Sequence, residues 1–99
     1  MNSEEVRKVN KVGAKVVSQK GNCRAGHKVG DEFILGRECP AGICGWAYGA
    51  LLPHVKVLAH GGTFPWADTP DGTTLVACPD PTNLVVFEIR RLPDTYDYI

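Results

Sequence analysis

Only one stretch of this chain carries a helical pattern, and that scarcity decides what the rest must do. Ile43, Cys44, Ala47, Ala50 and Leu51 fall one, three and four residues apart, which places them on one face of a helix. Pro40 stands where a first helical turn tolerates proline. Pro53 cannot continue a helix without a kink. It either ends the helix or starts a second short one, His54 to Ala59, closed by Gly61-Gly62. No other segment repeats at helical spacing, so this one must cover the core.

The remaining ordered segments read as strands. Val9 to Ser18 is rich in β-branched residues. A turn at Val29-Gly30-Asp31 feeds a second strand, Glu32 to Leu35, closed by Gly36. Thr73 to Cys78 and Leu84 to Ile89 follow, joined by Pro79-Asp80-Pro81-Thr82-Asn83, a connection suited to an antiparallel hairpin. Phe87 and Ile89 are expected in the core. Phe64 to Gly72 reads as a loop. The order β-β-α-β-β predicts an α+β fold: a small antiparallel sheet or half-barrel covered by one kinked helical segment. Residues 1–99 make a single domain. Residues 1–8 and 93–99 are expected as flexible or partner-docking arms, the second through Tyr96 and Tyr98.

A hydrophobic fraction of 43% excludes wholesale disorder. A chain this short buries only about two-thirds of its unfolded surface, so a supplement is expected, as a homo-oligomer or a bound metal. Eleven basic and eleven acidic residues leave no global field for nucleic acid or an anionic membrane. Arg7, Lys8, Lys11, Lys15, Lys20, Arg24 and Lys28 form a run with no acid between them. No aromatic residue interleaves it, so it reads as a solvated strand face rather than a base-stacking surface. The first residues lack the basic and apolar regions of a secretory signal. The longest nearly apolar run, Ile43 to Leu52, is too short to cross a bilayer. A soluble, cytoplasmic chain is expected, with reduced thiols.

The cysteines stand at Cys23, Cys39, Cys44 and Cys78, with no C-x-x-C to suggest a thioredoxin-type motif or a zinc knuckle. They admit two readings. One is a thiolate-rich metal site of Cys23, Cys44 and Cys78, completed by a histidine. The other is burial as small hydrophobes. His27 follows Cys23 by four residues, a spacing that suits chelation from a loop, and His60 precedes the double glycine. His54 reads as structural. Asp31 and Asp80 read as turn residues, leaving Asp68 as the carboxylate nearest a presumed pocket. No phosphate-loop pattern surrounds Gly61-Gly62, so Gly61 reads as a helix cap and Gly62 is left as a candidate for close backbone approach to a ligand. Trp46 and Trp66 serve equally as pocket walls or as core.

Several motifs are familiar in combination. They are Cys23, Gly30-Asp31-Glu32-Phe33, Pro40-Ala41-Gly42-Ile43-Cys44-Gly45-Trp46-Ala47, Gly61-Gly62-Thr63-Phe64-Pro65-Trp66, Cys78, and Val85-Val86-Phe87-Glu88-Ile89-Arg90. Over the span from Lys15 to Leu92 the chain resembles a family of small bacterial and archaeal proteins with no established activity. The resemblance implies that Cys23, Cys44 and Cys78 belong to the shared pattern. Cys39 does not, and His27 stands where the pattern has an apolar residue.

Three functions follow as expectations. The first is a small enzyme or binding protein whose pocket, lined by Trp46, Gly62, Phe64 and Trp66, takes a small, largely apolar or aromatic molecule. Cys44 would act there as nucleophile, or His60 as proton shuttle. The second is a module binding zinc, iron or copper(I) through Cys23, Cys44 and Cys78. The third is a structural or partner-binding protein with its cysteines and tryptophans in the core.

Overall fold

A computed structural model describes residues 7–97 of the chain. The elements are β1 (Lys8–Gln19), β2 (Glu32–Leu35), α1 (Gly45–Ala59), β3 (Thr74–Ala77) and β4 (Val85–Asp97). They form an α+β fold, a four-stranded open sheet in the order β2-β1-β4-β3 with every neighbouring pair antiparallel. α1 packs on one face.

The long strands β1 and β4 form the centre of the sheet. A register shift between Asn10 and Val12 explains a pattern that strict alternation does not: Val9 and Val12 are both buried, and Ala14 and Val16 follow on the same face. Between the Asn10–Thr95 and Val12–Arg91 pairs β1 has one residue and β4 three, so the ladder is interrupted there and the alternation restarts at Val12. Opposite these lie Leu35 of β2, Val76 of β3, and Val85, Phe87 and Ile89 of β4, all buried, with Phe87 and Ile89 in the core as expected. On the other face Lys15 pairs in register with Glu32 on one side and Glu88 on the other. The basic run of the N-terminal half is thus partly neutralised by cross-strand acids.

α1 is a single helix, and it begins later than Pro40. Gly42 adopts φ +88°, a left-handed conformation that no helix accommodates, so the chain turns helical only after Cys44. Pro53 lies inside α1 and does not end it. The reason is packing. Ala47 and Leu51 before the proline and Val55 and Leu58 after it lie on one buried stripe. Burying Val55 and Leu58 is worth about 1.5–3 kcal/mol each, which offsets the roughly 3 kcal/mol that proline costs in a helix interior.

The helix closes in a Schellman motif. His60 is the C-cap, Gly61 takes φ +86°, its N–H reaches the Leu58 carbonyl at 3.1 Å, and the Gly62 N–H reaches that of Val57 at 2.8 Å. The Arg91 guanidinium of β4 then donates to the carbonyls of Leu58 (3.2 Å), Gly62 (2.7 Å) and Pro70 (2.7 Å). A cation at a helix C-terminus is favourable, and this one also fastens the loop that leads to β3.

Two expectations about the ends need correction. Lys8 is part of β1, and Pro93 to Asp97 continue β4 rather than forming an arm; Val9 pairs with Tyr96 and Lys8 with Asp97. The Lys8 ammonium also bonds the Asp97 carboxylate. Proline is tolerated here because the register skips it, Asn10 pairing with Thr95 and Val12 with Arg91. The expected arms at residues 1–6 and at Tyr98 and Ile99 lie outside the described residues. Among the described residues no helix is long and apolar enough to cross a membrane.

Candidate functional site

Three loops meet at the N-terminal end of α1 and leave a groove of about 520 Å³ between them. The first loop supplies Cys23, Arg24, Ala25 and His27, and the hairpin between β3 and β4 supplies Cys78, Pro79, Asp80, Pro81 and Asn83. The segment entering α1 supplies Cys44, Trp46 and Ala47, and Val85 of β4 adds an apolar wall.

Local chemistry explains each placement. The Cys23 carbonyl accepts the N–H of Gly26 at 2.9 Å, a tight turn that Gly26 completes at φ +80°. His27 follows and is only 5% exposed, set edge-on to Phe33 and Phe87 at centroid distances of 5.4 and 5.9 Å. Its Nε2 accepts the backbone N–H of Cys44 at 3.0 Å, so the ring's proton is on Nδ1. Cys44 is the N-cap, with extended backbone (φ −62°, ψ 133°). No side chain caps the first turn of α1 and no acid stands in it, so its N–H dipoles face the groove side uncompensated.

In the hairpin, Asp80 accepts N–H bonds from Thr82 (3.0 Å) and Asn83 (3.1 Å), together with the Asn83 side-chain amide (3.2 Å). The Asn83 backbone and side-chain bonds, then that of Thr82, hold this carboxyl below the usual carboxylate range, with Arg24 adding to the effect. The Cys78 sulfur is part of the same turn. It accepts the Val85 N–H at 3.2 Å and lies 3.9 Å from the Asn83 carbonyl. Asn83 also accepts the Asn22 N–H at 2.9 Å, which fastens the hairpin to the Cys23 loop.

The structure therefore brings together Cys23, Cys44, Cys78 and Trp46, and adds His27, Arg24 and Asn83. All four cysteines are free thiols, and the three on the groove are half-buried. Cys39 is exposed and lies elsewhere, beside Tyr48, whose hydroxyl is pushed above its ordinary range by burial and then by Cys39 and Tyr96. Cys23, Cys44 and Cys78 are thus the three cysteines that share the groove.

The rest of the expected pocket is not assembled. Trp46 is 80% exposed at the groove rim. Trp66 is 62% exposed over a different, shallow depression with Asp68, Thr69 and Leu75. It stacks on buried Phe64 at 5.1 Å, with an interplanar angle of 13°, and its indole N–H donates to the Thr74 hydroxyl at 2.7 Å. Gly62 serves the helix terminus and the Arg91 clamp, since a Cβ there would lie 3.0 Å from the Val57 carbonyl oxygen. His60 caps the C-terminus of α1 near Arg7 and Asn10. A 15-residue helix is about 22 Å long, so Cys44 and His60 sit at opposite ends and cannot act as a dyad.

His27 was noted in the sequence for its spacing from Cys23, yet its role is to accept a backbone N–H rather than to chelate. Among the described residues no group of three or more His, Cys, Asp or Glu is arranged to hold a metal ion, so the three-thiol metal site is not formed in this conformation. No protein-family model, curated protein or solved structure matches the chain.

Proposed function

We propose that this chain is a small cytoplasmic enzyme or binding protein that takes a small, largely apolar or aromatic molecule in the groove at the N-terminus of α1, with Cys44 as its reactive group. One observation carries this reading. Three of the four cysteines, from segments more than fifty residues apart at the extremes, converge on one groove with an aromatic ring at its rim. Its volume of about 520 Å³ is within the common range for small-ligand sites, roughly 300–1,000 Å³. Ala47, Pro79, Pro81 and Val85 provide apolar surface, and Trp46 a flat face for stacking. Negative charge that develops on the Cys44 sulfur during attack or release lies beside the positive end of α1. His27 contributes by fixing the Cys44 backbone rather than by proton transfer.

Alkylation of the native protein with iodoacetamide, followed residue by residue by mass spectrometry, tests the assignment. Cys44 is expected to react faster than Cys23 and Cys78, and its modification should change the emission of Trp46 in a Trp66→Phe background. Alkylation confined to Cys39 until denaturant is added would reject the reading. About one equivalent of a soft metal per chain, lost on alkylation, would replace it with the metal-module reading.

A further inference from the structure

We propose that Cys44 and Cys23 form a thiol–disulfide exchange pair acting on small disulfides, with Cys44 attacking and Cys23 resolving. This inference rests on the groove reading above and names its substrate class.

The three groove sulfurs are not equivalent. Cys78 is engaged by the Val85 N–H and the Asn83 carbonyl, so its sulfur belongs to the hairpin turn. No hydrogen bond engages the sulfurs of Cys23 and Cys44 among the described residues, and both residues line the groove. One short path links their backbones. Cys23 opens the turn closed by Gly26, His27 follows at once, and the His27 ring holds the N–H of Cys44 itself. A buried imidazole clamped between two phenyl rings makes that link stiff. The loop bearing one thiol is thereby pinned to the residue bearing the other.

The roles follow from position. Cys44 stands at the uncapped N-terminus of a 15-residue helix, where a thiolate is best supported, so it is the nucleophile. Cys23 lies on the loop turn that His27 pins to Cys44, away from the helix terminus, so it is the resolving thiol. Cys39 is outside the groove and takes no part. The groove volume suits a low-molecular-weight disulfide rather than a folded protein partner.

The chemistry balances. The Cys44 thiolate attacks one sulfur of RS–SR, forming Cys44–S–S–R while the substrate S–S bond breaks and RS⁻ leaves. The Cys23 thiolate then attacks the Cys44 sulfur, forming Cys23–S–S–Cys44 and releasing the second RS⁻. The two protein thiol protons end on two RSH. The protein is oxidised by two electrons and the small disulfide is reduced by the same two.

Hydroxyethyl disulfide is a suitable probe. The reduced protein, mixed with it, should lose two hydrogens from its mass and yield a peptide linking Cys23 to Cys44. Cys23→Ser should stop at one mixed disulfide on Cys44, and Cys44→Ser should slow oxidation by about tenfold or more. A link through Cys39 or Cys78, a persistent mixed disulfide in the native sequence, or an unchanged rate in Cys44→Ser overturns the proposal. Peptide mapping of the unsubstituted protein decides the matter even where a variant fails to fold. Fast alkylation of Cys44 without a Cys23–Cys44 link rejects the pair and leaves the groove reading standing. Slow alkylation of Cys44 rejects both.

Discussion

The Nε2 of His27 accepts the backbone N–H of Cys44 at 3.0 Å, joining the loop after β1 to the residue that starts α1. Among the described residues no other hydrogen bond runs from that loop to the start of the helix, so the groove's shape depends on this bond.

His27→Ala should therefore destabilise the protein by about 2–4 kcal/mol. The substitution leaves a cavity beside Phe33 and Phe87 and strands a part-buried N–H. Urea unfolding measures the loss, and amide exchange at Cys44 should quicken ahead of the rest of α1. A change below about 0.5 kcal/mol, the range of ordinary surface substitutions, would show that the bond does not organise the groove.

Pro53→Ala should raise stability by about 1–3 kcal/mol. Pro53 is exposed inside α1, and alanine would restore an N–H able to bond the Gly49 carbonyl without disturbing the buried stripe. An unchanged or lower unfolding midpoint would mean that the helix is bent at Pro53 in a way the core requires.

Two glycines with positive φ should respond differently to alanine. Gly61 has open space where a Cβ would go, so Gly61→Ala carries only the conformational cost of about 1–2 kcal/mol. Gly72 is also left-handed, at φ +70°, but a Cβ there would strike the fully buried Leu58. Gly72→Ala should cost a further 1–3 kcal/mol or so for overpacking. Thermal or urea midpoints of the two variants, side by side, check the order.

Acid should weaken the turn before β3. The Thr69 hydroxyl, then the Thr73 hydroxyl and N–H, hold the Asp71 carboxyl below the usual carboxylate range. A depressed folded-state value means that the contribution is complete above the unfolded carboxylate value of about 3.9 and drains away as pH falls below it. Asp71→Asn should thus be less stable than the unsubstituted protein at neutral pH. The gap should close between about pH 4 and pH 2. A gap independent of pH would assign the loss to packing alone.

How far the sequence could be read depends on what each residue answers to. β2 and the β3–β4 hairpin were legible because turn residues such as Asp80 and Asn83 act within their own loop. The extension of β4 through Pro93 to Asp97 was not, because those residues are strand only by virtue of pairing with Lys8 to Asn10, far away along the chain. Pro53 misled for a related reason. Its local cost is evident from composition, whereas the burial of Val55 and Leu58 that offsets it requires the sheet to be present.

By itself the sequence determined the element order, the hairpin, the presence of one helical segment and the burial of Phe87 and Ile89, all of which follow from periodicity and turn chemistry. Only the tertiary structure decided which motif residues meet. Trp46 and Trp66 look like partners in the chain and lie over different depressions, because a stack on Phe64 and a bond to Thr74 hold the second one on the β3 side. Cys23, Cys44 and Cys78 look scattered and share a groove. Antiparallel pairing carries the hairpin to the end of β1, and a buried histidine fastens the start of α1 beside both.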